Sequence, residues 1–165
     1  MPEFSFTIRA GAITESTRTF ALEADAAARA ALAARFDIPA IGQLSGRFTL
    51  AHASGGVILG DLALKARVTL ICVVSLEPFE TKLAETASLR FVPGPAAAEL
   101  DPETLDGPDE IEFDGETIDL GEVLAEQLAL ALPPYPRKPG AVLPDAGTDA
   151  TAHPFAALLA FKKPE

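Results

Sequence analysis

The sequence has one cysteine, one methionine, one tyrosine and no tryptophan. A lone Cys72 excludes an intramolecular disulfide, so the chain must be held by packing, and a reducing cytoplasm is the simplest expected compartment. No run of about 18 uncharged apolar residues occurs, which predicts no membrane-spanning helix. Met1-Pro2-Glu3-Phe4 is not a basic segment leading into an apolar one, so no secretory leader is expected. Positive charge is scarce: 13 Lys and Arg stand against 24 Asp and Glu, a net charge of −11. Excess acid disfavours non-specific adhesion to DNA or an anionic membrane, because such binding needs clustered Lys and Arg to displace counterions.

The chemical motifs that are missing exclude as much. Neither a Walker loop nor a Gly-x-Gly-x-x-Gly fingerprint is present to cradle a nucleotide phosphate. His52 and Ser54 invite a hydrolytic triad, but no Gly-x-Ser-x-Gly elbow occurs and a histidine in a hairpin loop is ordinarily just solvated. With two histidines and one thiol, a soft-metal site lacks ligands. No enzymatic activity, cofactor or metal is expected.

What is present suits one soluble domain. A chain of 165 residues that is 48% apolar and 22% charged is long enough to bury a core without a metal or disulfide. Phe4, Phe6 and Ile8 alternate with Ser5, Thr7 and Arg9, the period-two pattern of a half-buried strand. A second short strand is predicted over Arg18 to Leu22. Asp25 then caps an Ala-rich helix running to about Phe36, where Leu32 and Phe36 share a face, and Pro39 forbids continuation.

From Gly42 to Pro93 the periodicity is that of strands. Ser54, Gly55 and Gly56 supply the positive-φ positions of a hairpin. The strongest alternation places Leu62, Leu64, Ala66, Val68, Leu70, Cys72, Val74 and Leu76 on one face. Lys65, Arg67, Thr69 and Ser75 fall on the other, and Arg47 is expected to join Lys65 and Arg67 on the wet side of an antiparallel sheet. On its apolar face Cys72 reads as a buried, inert thiol. Thr81 to Phe91 alternates again, so the three segments predict a meander.

Residues 92–117 are rich in Pro, Gly, Ala and acid, which predicts an acidic loop, with a short strand at Ile111 and Phe113. Asp119 followed by Glu122 is a capping-box pattern, and Leu120, Leu124 and Leu128 continue at helical spacing until Pro133 and Pro134. A single α+β domain is expected over 1–134, and a Pro-rich tail with a short terminal helix over 135–165.

The acidity is local. Between Glu99 and Asp119 there are ten acids and no Lys or Arg, so the remaining 24 − 10 = 14 acids nearly balance 13 basic residues. A solvated loop is one reading; a docking surface for a basic partner through Glu99, Asp101, Glu103, Asp106, Asp109 and Glu110 is the other. Tyr135, Arg137 and Lys138, with Lys162 and Lys163, are the candidates for RNA or tail contact.

Three segments occur in a familiar order: Ala66-Arg-Val-Thr-Leu-Ile-Cys-Val-Val-Ser-Leu-Glu-Pro-Phe79, then Ile118 through Pro134, then His153-Pro-Phe-Ala-Ala-Leu158. With the acidic stretch before Ile118 and the Pro-rich exit after Leu132, they make residues 44–163 resemble the bacterial YceD family, also called large ribosomal RNA subunit accumulation protein and long described as a domain of unknown function. The resemblance implies a part in accumulation or processing of large-subunit (23S) ribosomal RNA, with no established enzymatic activity. It also implies a ribosomal RNA precursor, or a basic ribosomal or assembly protein, as partner. One branch of the family has Cys-x-x-Cys where this chain has Cys72-Val73-Val74-Ser75, so the metal site suggested for such relatives is not expected here.

The expectation is therefore an α+β fold on an antiparallel, partly barrel-like sheet with two main helices and an extended carboxyl-terminal tail. Its function is that of a non-catalytic ribosome-biogenesis factor; the alternative is a barrel binding a small apolar ligand.

Overall fold

The computed structural model describes residues 3–94 and 108–142. Four strands, β2 (Arg18–Glu23), β3 (Ala40–His52), β4 (Ile58–Ile71) and β5 (Pro78–Pro93), follow one another as an antiparallel meander. The sheet is extended by β6 (Asp109–Phe113), which pairs parallel to β5 and makes the order β2-β3-β4-β5-β6. A separate ribbon pairs β1 (Thr7–Arg9) with β7 (Thr117–Asp119). Helix α1 (Ala26–Arg35) connects β2 to β3, and α2 (Leu120–Ala131) follows β7 directly. The architecture is α+β on an open, mainly antiparallel sheet.

The alternation read in the sequence is carried out residue by residue. Ile58, Gly60, Leu62, Leu64, Ala66, Val68 and Leu70 of β4 are buried, while Leu59, Asp61, Ala63, Lys65 and Arg67 between them are exposed. Register carries the pattern across the sheet, since Phe48 lies opposite Leu62 and Ile58 opposite Phe91. Directly paired residues point to the same side of a sheet. The inner face is filled by side chains, Phe48, Phe91, Leu44, Leu62 and Leu89 among them at 1% exposure or less. The space an apolar ligand would take in a barrel is thus occupied. Helix α2 closes that face with Leu120, Leu124 and Leu128, all fully buried, each worth roughly 1.5–3 kcal/mol relative to exposure. Leu124 seats over Gly46, where a Cβ would stand 2.7 Å from its Cδ1.

Both helix starts follow their predicted caps. Asp25 Oδ1 accepts the Ala28 N–H at 2.8 Å, and Asp119 Oδ1 accepts from Gly121 at 2.9 Å and Glu122 at 3.2 Å. The capping box is only half made, because Glu122 turns to Arg35 at the end of α1 at 2.7 Å. That contact ties the two helices together.

Three expectations are corrected. The first strand is Thr7–Arg9, shorter than the alternation suggests, because the chain before it crosses the start of α2: the Phe6 N–H goes to Asp119 Oδ1 at 2.8 Å and its carbonyl to Leu120 at 3.0 Å. The alternation of β4 does not continue to Leu76. Strand β4 stops at Ile71, and a turn closes with Cys72 N–H on the Glu77 carbonyl and Leu76 N–H on the Cys72 carbonyl, both at 2.9 Å. Leu76 takes a left-handed φ of 57° and is 76% exposed. Finally, the predicted loop 92–117 is partly sheet, since β5 reaches Pro93, β6 spans Asp109–Phe113, and β7 begins at Thr117.

Candidate functional site

The predicted contact residues fall at separate places. Glu99, Asp101, Glu103, Asp106, Lys162 and Lys163 lie outside the described residues. Asp109 and Glu110 are on β6, beside Leu89 and Arg90 of β5. Tyr135, Arg137 and Lys138 follow α2 and lie at the other end of β5. Leu89 lies eleven positions past Pro78 along that strand, roughly 37 Å at about 3.4 Å per residue. The structure does not bring these two groups together.

Near the acidic edge, the described carboxylates are engaged in the fold. Glu110 pairs with Arg90, and Asp109 accepts from Gln127 Nε2 at 3.3 Å. Asp114 accepts the N–H groups of Glu116 and Thr117 at 2.8 and 2.7 Å, an Asx turn that feeds β7. The Thr117 and Glu116 amides hold its carboxyl below the usual aspartate range. Asp119 is pushed up by burial but pulled down further by the Ser5 hydroxyl at 2.5 Å and by the amides it caps, and its net shift is downward.

Beyond α2 the chain is strapped to the β4–β5 turn rather than left free. Val73 N–H donates to the Pro136 carbonyl at 2.9 Å, and Lys138 Nζ reaches Glu77 at 3.0 Å. Tyr135 is 76% exposed on this strap. Cys72 is fully buried beneath it, as its place on the apolar face predicts. The Ser75 side chain and the backbone amides of Lys138, Ser75 and Val74 favour its thiolate and, against the opposing effect of burial, lower the thiol to about 6; the Ser75 amide donates to the sulfur at 3.4 Å. Burial keeps that sulfur from solvent. Among the described residues no three His, Cys, Asp or Glu side chains gather closely enough to hold a metal.

The outer face of the sheet is different. Register puts Ala21, Arg47, Ala63 and Thr86 in one row and Ser45, Lys65 and Ala84 in the next, with Gln43, Arg67 and Lys82 beyond. Arg47, Lys65, Arg67 and Lys82 are all exposed. The sharing of a face by Arg47, Lys65 and Arg67 is as the alternation predicts. Lys82 is the member that sequence reasoning missed: alternation of Leu83, Ala87, Leu89 and Phe91 assigns it to the wet side, but only strand register places it opposite Arg67. Asp61, which accepts from Ser88 at 3.1 Å, and Glu80, 3.9 Å from Arg67, are acids on the same face, with Glu23 at its β2 margin and Glu110 and Glu112 at its β6 margin. Among the described residues Arg47, Lys65 and Lys82 enter no ion pair.

The open α+β sheet thus has a filled inner side and an outer side that, among the described residues, is charged and carries no covering element. The comparison with known proteins makes the class specific: the profile described as large ribosomal RNA subunit accumulation protein YceD matches residues 60–162. The match spans more than half of the chain, and the chain belongs to that family. No curated protein and no solved structure matches it. The family's name ties it to accumulation of large-subunit ribosomal RNA, a role in ribosome biogenesis. None of the helices among the described residues is long and apolar enough to cross a membrane.

Proposed function

We propose that this protein is a non-catalytic, cytoplasmic ribosome-biogenesis factor that supports accumulation or processing of 23S ribosomal RNA by binding within the large-subunit precursor particle. The family match over residues 60–162 carries this reading. One structural feature supports it: accessible charge is spread across several strands of the sheet's outer face, which suits a macromolecular partner better than a small substrate.

Of the acidic docking surface, the exposed Asp109 and Glu110 each already meet one side chain, Gln127 and Arg90, so recruitment of a basic ribosomal or assembly protein rests chiefly on Glu99, Asp101, Glu103 and Asp106. Changing those four to Gln or Asn is expected to reduce recovery of such a protein in pull-downs. The reading as a whole is tested by deleting the gene and measuring 23S against 16S ribosomal RNA. A fall in the 23S share, with the tagged protein sedimenting among large-subunit precursors, is expected. A normal ratio with the protein confined to the top of the gradient overturns it.

A further inference from the structure

The outer sheet face carries more than a scatter of surface charge. Arg47 on β3, Lys65 and Arg67 on β4 and Lys82 on β5 form a diagonal line: Arg47 is opposite Ala63, Lys65 is two residues past Ala63, Arg67 two further, and Lys82 opposite Arg67. Neighbouring strands lie about 4.8 Å apart and alternate residues about 6.8 Å apart, so successive members of the line are separated by roughly 5–8 Å at the backbone. Such spacing is of the order of that between successive phosphates of an extended single strand. The excess acid of the chain is concentrated between Glu99 and Asp119, so an approaching polyanion meets local attraction along this line and repulsion at that stretch.

The floor beneath the line is small. Ala21, Ser45 and Ala63 leave a hollow of about 440 Å³ between Arg47 and Lys65, with Glu23 on its β2 wall. A second hollow of about 280 Å³ on the other side of Arg47 is bounded by Asp61, Ala63, Thr86 and Ser88. Phosphate groups can therefore approach the guanidinium and ammonium groups without displacing bulky side chains. Aromatic residues on these strands face inward: Phe20 pairs with Phe48, Phe79 with Leu70, and Phe91 with Ile58. With no aromatic platform on the outer side of β2 to β5, bases cannot stack on it, and recognition must run through the backbone.

We propose that the outer face of the five-stranded sheet binds single-stranded RNA by its phosphates, with Arg47, Lys65, Arg67 and Lys82 as the contacts. This rests on the ribosome-biogenesis reading and deepens it, moving the RNA contact from the carboxyl-terminal residues to the sheet. Arg is suited to bidentate phosphate contact and Lys to a point charge, so the line combines both modes. An acidic peptide is the competing occupant, but the centre of the face offers Ala, Ser and Thr rather than a pocket for an apolar anchor.

The test uses the full chain and a single-stranded oligouridine long enough to cross the sheet, followed by fluorescence anisotropy over a salt series. Four contacts at about 0.7 each predict a slope of log affinity against log salt near −2.8. Each neutralisation, such as Lys65→Gln, is expected to reduce the slope by about 0.7 and weaken binding about fivefold at about 0.1 M salt. Lys65→Arg should bind as the parent does. The variant carrying Arg47→Gln, Lys65→Gln, Arg67→Gln and Lys82→Gln should lose binding while unfolding at the parent temperature. If that folded variant binds oligouridine like the parent, or if the parent prefers polyglutamate, the assignment is overturned. In cells the two readings separate. Should deletion lower 23S ribosomal RNA and the fourfold variant restore it fully, the sheet-face contact fails and the biogenesis role stands; should deletion leave 23S unchanged, the biogenesis role itself fails.

Discussion

Along β6 and the turn into α2, acidic side chains are taken up by the fold: Glu110 by Arg90, Asp109 by Gln127, Asp114 by two amides of its own turn, and Asp119 by Ser5, Phe6 and the first turn of α2. Across the outer face of β3 to β5, Arg47, Lys65 and Lys82 have no such occupation among the described residues, although basic residues are the minority in this chain. Net charge would rank the first region above the second as a docking surface. Partner count narrows the gap: Asp114 and Asp119 already receive several hydrogen bonds and have little left to offer a ligand, while Asp109 and Glu110 each meet one side chain.

The comparison can be broken by mutation. Asp119→Ala should have the largest effect on stability, about 2–3 kcal/mol by urea denaturation, since it removes a helix cap and the anchor of the amino-terminal segment together. Asp114→Ala should destabilise less, by freeing one turn. Both carboxyls are depressed in the folded state. The stability they contribute is therefore present above the ordinary aspartate value of about 3.9 and is lost as pH falls through their lowered values. Acid titration of the parent and the two variants should converge at low pH. Glu110→Gln breaks an exposed pair and should cost at most about 1 kcal/mol. Cys72 gives a pH dependence at higher pH: its thiol is lowered to about 6, so its contribution is complete above the ordinary thiol value of about 8.5 and falls away as pH drops from there through 6. Cys72→Ala should flatten the stability profile across that window. At the bottom of the scale, Lys65→Gln and Lys82→Gln should change stability by no more than about 0.5 kcal/mol, because they touch nothing the fold requires. A large loss of stability there would make the basic face structural and erase the contrast.

How much of this was legible beforehand follows the range of the interactions. The caps Asp25 and Asp119 were readable because a cap is decided within three residues of sequence. Alternation likewise assigned Lys65 and Arg67 to the outside and Leu62 and Leu64 to the inside. Leu76 was misassigned because where a strand stops depends on where its partner begins: the pairing of Ile71 with Pro78 leaves six residues to turn the chain, whatever their hydropathy. The parallel pairing of β6 with β5 and the diagonal from Arg47 to Lys82 depend on register between strands, which no local pattern records. The strap over Cys72 was unreadable for the same reason, since Val73 meets Pro136 only in three dimensions.

The tie between the amino terminus and α2 has a consequence in time. Ser5 and Phe6 bind Asp119, which lies 114 and 113 residues further along, and each of the three residues of β1 pairs within β7. A Cβ on Gly121 would stand 2.7 Å from the backbone of Phe4 and Phe6, so the segment packs directly on the helix start. At about 5–20 residues per second of synthesis, β1 leaves the ribosome roughly 6–20 s before its partner β7 exists. The meander can assemble meanwhile from neighbouring strands, whereas the ribbon closes the longest loop in the described chain and pays its entropy last. Strand β1 is made well before β7 yet is among the last to be seated, and every freshly synthesised copy spends that interval with it unlatched.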